Sequence, residues 1–276
     1  MTRSVRRTRR MLQLAGAGAA ALMALSACSS SSGSAKSKDT SASSGSSASA
    51  KLSGSVTVFA AASLKESFTT LGKEFEKQHP GTHVNFNFGG SDTLAASITG
   101  GAPADVFAAA SPKTMKIVTA KNDAVGTPAT FVRNQLEIAT VPGNPHKVAS
   151  LKDLTKSGLK VVLCDKTVPC GAAAQKALDA GHLKLTPVSY EQDVKGALNK
   201  VELKEADAAV VYKTDVHAAG DKVEGVEFPE SAKAVNDYPI TLLKNAPNAE
   251  AAKAFIALVQ STEGQKVLSQ AGFLKP

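Results

Sequence analysis

Small hydroxylated residues and glycines recur where apolar strands hand over to helices, a placement suited to holding an anion. Val56-Thr57-Val58-Phe59-Ala60 is strand-like and runs into Ala61-Ala62-Ser63, with Ser63 at the expected start of a helix. Val84 to Phe88 alternates as a second strand and ends in Gly89-Gly90-Ser91-Asp92-Thr93. Val168-Pro169-Cys170-Gly171 and Glu191-Gln192-Asp193-Val194 precede two further helices, and Tyr212 closes an apolar strand. The first N–H groups of a helix lack carbonyl partners and carry partial positive charge, so each turn could donate to an oxyanion. Taken singly, each has a plainer reading. Ser63 or Ser91 alone is an ordinary N-cap, Gly-Gly a tight turn, and Tyr212 a core tyrosine with its hydroxyl at the rim.

The elements that must position these turns follow from hydrophobic period. Leu64, Phe68, Leu71 and Phe75 share one helical face, ending near His79-Pro80-Gly81, and Leu94, Ala95 and Ile98 begin a second helix. Asp105 to Ala108, Leu136 to Val141, Val161 to Leu163 and Ala208 to Tyr212 read as strands. Helices are expected from about Gly171 to Ala180, around Val194, Ala197, Leu198 and Val201, and around Ala251 to Val259. Such alternation predicts an α/β protein with mainly parallel sheets, in which ligand-binding turns gather at one sheet edge.

The N-terminus reads as a processed leader rather than part of that fold. Arg3, Arg6, Arg7, Arg9 and Arg10 precede an apolar stretch from Met11 to Leu25, and Leu25-Ser26-Ala27-Cys28 resembles a lipoprotein processing site. Residues 1–27 are thus expected to be a signal peptide, Cys28 the lipidated residue, and 28–53 a flexible Ser-rich tether. The five leader arginines account for most of the formal charge of +8, leaving +3 on the remainder. With lysines interleaved among acids and Trp absent, nothing suggests a nucleic-acid partner. Cys164 and Cys170 remain as an even pair in an oxidising compartment, spaced for neither CxxC nor zinc, and read as a short-loop disulfide. Five scattered histidines without HExxH spacing, and the lack of a GxSxG or phosphate-loop motif, argue against an enzyme and against a bound cofactor. Tyr190, Tyr212 and Tyr238 are too few for a tyrosine-rich ferric site.

Several segments together resemble the molybdate-binding proteins of ABC importers. They are Val58-Phe59-Ala60-Ala61-Ala62-Ser63-Leu64, Gly89-Gly90-Ser91-Asp92-Thr93-Leu94-Ala95, Gly101-Ala102-Pro103-Ala104-Asp105-Val106-Phe107, Val168-Pro169-Cys170-Gly171, Asp193-Val194-Lys195-Gly196-Ala197-Leu198, Val210-Val211-Tyr212 and Phe228-Pro229-Glu230. The likeness runs in order from about residue 54 to the end. It implies a two-lobe fold of the type II periplasmic-binding-protein class, lobe one from 54–133 plus 237–276 and lobe two from 134–236. The ligand would be molybdate, and with it tungstate, held in the cleft by the hydroxyls of Ser63, Ser91 and Tyr212 and the backbone N–H groups of Cys170 and Val194. Cys170 is a departure, since the family usually has a small residue there, often alanine. The implied partners are a membrane permease with its cytoplasmic ATPase and, through the anchor, the outer face of the cell membrane. The protein is expected to act as an extracytoplasmic monomer. A tetrahedral dianion without a proton needs only donors, at roughly 1.5–3 kcal/mol each. Sulfate or phosphate is the alternative ligand. Phosphate, which carries a proton near neutral pH, would want an acceptor.

Overall fold

The computed structural model describes residues 51–276; the leader, Cys28 and most of the tether lie outside them. Two five-stranded mixed sheets carry the described residues. The first is built from β1 (Gly54–Ala61), β2 (Thr82–Gly89), β3 (Val106–Ala108), β4 (Ala129–Asn134) and β10 (Asn236–Leu242). The second uses β5 (Leu136–Thr140), β6 (Val161–Cys164), β7 (Ser189–Glu191), β8 (Ala208–Tyr212) and β9 (Glu224–Val226). Their orders are β2-β1-β3-β10-β4 and β7-β6-β8-β5-β9. In each, the first three strands pair in parallel and the fourth runs against both neighbours.

The two sheets therefore share one topology, and the reversed strand in each is the one beside a crossing between them. β4 leaves the first sheet and β5 enters the second after a single intervening residue; β10 returns after β9. Asn134 on β4 and Asn236 on β10 are register partners at this crossing. The expected α/β class with mainly parallel strands is what the chain adopts: four strands of each sheet share one direction.

Helices cover the sheets. α1 (Lys65–Gln78) buries Phe68, Leu71 and Phe75 against β1 and α7 (Ala249–Gln260), with Phe255 meeting Phe68 and Phe75 edge to face. α2 (Ser91–Thr99) and α3 (Pro112–Thr119) pack over Phe59 and Phe107. On the second sheet α4 (Pro169–Ala180) and α5 (Val194–Glu202) bury Ala173, Ala177, Ala197 and Val201 against β6 and β8, whose five residues are all buried. A strand covered on both faces reads as an unbroken apolar run, which is the pattern Ala208 to Val211 shows. α6 (Lys213–Ala219) follows β8 directly and α8 (Thr262–Gln270) closes the chain.

Sequence and structure differ in particulars. α4 begins at Pro169 rather than near Gly171, because proline suits the first helical position, where no N–H is needed. Ser63 does not start α1 but lies in a short 3-10 turn, Ala62–Leu64, ahead of it. The brief β7 and β9 are too short to show an alternating pattern.

Candidate oxyanion-binding site

The C-terminal ends of β1 and β2 in one half face those of β6, β7 and β8 in the other, and a small cavity lies between. It is lined by Ser63 and Gly90-Ser91 from the first half and by Cys170, Val194 and Tyr212 from the second. All five residues named from the sequence thus come to one place. Its volume is ≈ 20 Å³, far below the range of about 300–1,000 Å³ typical of pockets for drug-sized ligands. Only a ligand of a few atoms matches that scale.

Each residue is held by its element. Ser91 is the first residue of α2, buried, and its Oγ accepts the N–H of Ala110 at 3.0 Å. In that bond the oxygen is the acceptor, so its proton is left for another partner. Cys170 is the second residue of α4, where its N–H has no carbonyl one turn back. Val194 opens α5 just after Asp193, whose carboxylate caps the helix by accepting the Gly196 N–H at 2.9 Å. That acidic group beside the cavity is therefore turned to its own helix. Tyr212 ends β8, and its hydroxyl accepts from Asn236 Nδ2 at 2.7 Å. Ser63 Oγ lies 2.8 Å from the hydroxyl of Tyr238.

The Cys164–Cys170 disulfide ties the end of β6 to the first turn of α4, with Cα atoms 5.8 Å apart. The intervening loop is folded on itself: Val168 N–H donates to the Asp165 carbonyl at 3.1 Å and Thr167 N–H to the Asp165 carboxylate at 2.9 Å. Gly171 is obligatory here, since a Cβ would stand 1.9 Å from the Asp165 carbonyl oxygen. Gly90 is constrained from across the cleft, where its Cβ would meet the Gln192 carbonyl oxygen at 2.6 Å. The two halves are drawn together.

A charged cluster bridges the halves beside the cavity. Lys195 Nζ on α5 lies 3.0 Å from Glu66 on α1 and 3.0 Å from the fully buried Asp215 on α6. Asp215 also accepts the Tyr212 backbone N–H at 3.2 Å. Burial alone would lower the Lys195 ammonium, but the two carboxylates, Asp215 foremost, more than reverse this and raise it. Burial pushes the Tyr212 hydroxyl well above the ordinary phenol value, and Tyr238 rises for the same reason. Both remain neutral O–H groups at working pH. Glu66, Lys195, Asp215, Asn134, Asn236 and Tyr238 escaped sequence reading. The asparagines carried no local signal: each sits at the inner end of a crossing strand beside a charged residue, Arg133 or Asp237.

Chemically, the lining offers hydroxyl and backbone N–H donors, and no metal-ligating cluster of His, Cys, Asp and Glu occurs among the described residues. Nor is any helix among them long and apolar enough to cross a membrane. Comparison with known proteins agrees with this architecture. The family model described as bacterial extracellular solute-binding protein matches residues 56–274. A molybdate-binding protein ModA of Mycobacterium bovis is 44% identical over 222 residues, covering 80% of this chain and 85% of that protein. The molybdate-binding protein ModA of Escherichia coli is 31% identical over 233 residues, 80% of this chain and 89% of its own length. Among solved structures, the periplasmic molybdate-binding protein of Azotobacter vinelandii superposes with a TM-score of 0.70 over 80% of this chain and 99% of that one, at 21% identity, a likeness of fold. The chain belongs to the bacterial extracellular solute-binding protein family, a family of receptors and not of enzymes.

Proposed function

We propose that the protein captures molybdate outside the cytoplasm and hands it to the permease of an ABC importer. The observation that carries this is a small cavity shared by both halves and lined by donors, with the one carboxylate of its lining, Asp193, committed to its own helix. A fully deprotonated tetrahedral dianion is matched by donors alone. Support also comes from relatives of 44% and 31% identity that are named for molybdate. In this reading Ser63, Ser91 and Tyr212 donate through their hydroxyls and Cys170 and Val194 through their backbone N–H groups. Cysteine in place of a smaller residue leaves such a backbone contact intact. Tungstate, of the same charge and shape, binds in the same way.

Residues 54–133 with 237–276, and 134–236, act as the two lobes. A ligand touching both at once shifts the population toward the closed form, whose surface the permease reads. Cys28 anchors the chain to the membrane and the tether lets the monomeric receptor reach its partner. Five to seven donors to a charged ion, less the costs of closure and immobilisation, correspond to binding in the micromolar to nanomolar range, about −8 to −12 kcal/mol. Titration calorimetry with molybdate, tungstate, sulfate and phosphate tests this directly. Tight binding of molybdate and tungstate, with sulfate and phosphate far weaker, is expected. Tighter binding of sulfate or phosphate would reassign the receptor.

A further inference from the structure

Three hydroxyls face the cavity, and a hydroxyl can accept as readily as donate. What decides its role is whether its lone pairs are already taken. Around this cavity one lone pair of each is engaged, for Ser91 and Tyr212 by a group whose polarity is fixed. The Ala110 backbone N–H, which can only donate, points at Ser91 Oγ at 3.0 Å. Asn236 Nδ2 points at the Tyr212 oxygen at 2.7 Å, and the same nitrogen lies 3.3 Å from the Pro169 carbonyl, a pure acceptor. That second contact fixes which end of the amide faces the phenol: it is the N–H₂ end. On the other crossing strand Asn134 Oδ1 accepts the Gln135 N–H at 3.0 Å, so its Nδ2 is the end turned to Thr214 at 2.8 Å and to the Tyr238 hydroxyl at 3.4 Å. Tyr238, with that N–H₂ group at one of its lone pairs, lies 2.8 Å from Ser63 Oγ and can donate to it. Asn134, Asn236 and Tyr238 are almost fully buried, where a polar side chain is retained only if its hydrogen bonds are made.

We propose that Asn236 is a positioning and specificity residue, and that with Asn134–Tyr238 and the Ala110 N–H it forms an outer layer that biases the cavity hydroxyls toward donating to the ligand. Each outer donor occupies an oxygen lone pair of Tyr212, Ser63 or Ser91, and the hydroxyl proton is left to point at the ligand. A site wired in this way favours oxyanions with no proton over those that carry one, because the ligand's own O–H meets hydroxyl oxygens already engaged as acceptors. The inference rests on the molybdate reading for its probe ligand. Its structural basis is the two asparagines facing each other in register where the chain crosses between sheets, with their donor ends turned outward to the two tyrosines.

The test is a double-mutant cycle read by calorimetry at about pH 8 with molybdate and with inorganic phosphate, which is then mostly hydrogen phosphate. Asn236→Leu is expected to weaken molybdate roughly 10- to 100-fold, the range of one hydrogen bond to a charged oxygen. In the Tyr212→Phe background the same change is expected to cost less than about threefold, because the hydroxyl it orients is gone. The ratio of molybdate to hydrogen phosphate affinity should fall in Asn236→Leu by roughly tenfold, since Tyr212 regains a free lone pair; a residue that merely supports the fold would weaken both ions alike. Should Asn236→Leu fail to fold, the isosteric Asn236→Asp carries the test. Its carboxylate can only accept from Tyr212 and turns the phenol proton away, so its loss should at least match that of Tyr212→Phe. Equal losses in the two backgrounds, an unchanged ratio, or wild-type affinity in Asn236→Asp would overturn the proposal while leaving molybdate as the ligand. A wild-type protein that gives no heat with molybdate would overturn the ligand reading itself, and this proposal with it.

Discussion

Removing the Cys164–Cys170 bridge is expected to cost stability more than affinity, and the two magnitudes can be separated. The cross-link spans six residues of sequence, so the loss of unfolded-chain restriction is about 2–3 kcal/mol. For a chain of this size each kcal/mol corresponds to about 2–4 °C, giving a fall in Tm of roughly 5–10 °C. Binding should respond less. The Cys170 N–H is held in the first turn of α4, and the loop before it is pinned by Val168 and Thr167 donating to Asp165 and by Asp165 N–H donating to the Glu191 carbonyl at 2.8 Å. With those contacts intact the amide keeps its direction, and molybdate affinity should fall by no more than about fivefold, under about 1 kcal/mol. The assay pairs scanning calorimetry with binding titrations on the oxidised protein, the reduced protein and the double variant Cys164→Ala/Cys170→Ala. An unchanged Tm would show that the bridge does not constrain the unfolded chain. A hundredfold loss of affinity would show that the bridge, not the helix, holds the amide.

Other perturbations probe the site and its closure. Ser91→Ala removes one donor and leaves the buried Ala110 N–H without its acceptor; a loss of about 1–3 kcal/mol in molybdate binding is expected, and wild-type affinity would remove Ser91 from the site. Gly90→Ala sets a methyl 2.6 Å from the Gln192 carbonyl on the opposite side of the cleft. Affinity should drop by about 1–3 kcal/mol as closure is obstructed, with little change in the Tm of the ligand-free protein; a large fall in that Tm would instead show a clash within one half. Because burial raises the Tyr212 hydroxyl, molybdate affinity should stay flat from about pH 7 to 9.5, without tyrosinate absorbance from this residue. The folded chain holds that proton more tightly, so its share of stability is complete below about pH 10 and is lost as pH rises toward the folded value. Affinity that falls with a midpoint near the ordinary phenol value would contradict this.

What could be read from sequence was the part governed by local rules. Glycines and small hydroxyls after Phe59-Ala60 and after Phe86-Asn87-Phe88 marked turns at strand ends, and the period of Phe68, Leu71 and Phe75 marked the helix that follows β1. Cysteine arithmetic paired Cys164 with Cys170 because it depends on compartment and number rather than on fold. The second layer depended on contacts between remote residues and so left no local trace. Asn134 and Asn236 look like ordinary strand-end residues until β4 and β10 are set in register. Lys195 looks like one more solvated helix lysine until α1 brings Glu66 and β8 brings Asp215 to it. Tyr238 was countable but not locatable, since its meaning comes from Ser63, in another part of the chain.

The shared topology of the two sheets explains how the cavity can favour an anion without a cation in its lining. Each half ends its parallel strands at the cleft, so the starts of α2, α4 and α5 converge there, each contributing about half an elementary charge. Lys195, the nearest ammonium, is neutralised by two carboxylates and adds no net positive charge. That arrangement attracts any small anion about equally, because a helix dipole does not distinguish one oxyanion from another. Discrimination must therefore reside in groups that sense protons and size, namely the hydroxyls and whatever fixes their direction. Asn236, on a strand where the chain crosses between the sheets, reaches both the Tyr212 hydroxyl and the Pro169 carbonyl. A change at Asn236 should therefore weaken molybdate and narrow its preference over hydrogen phosphate together.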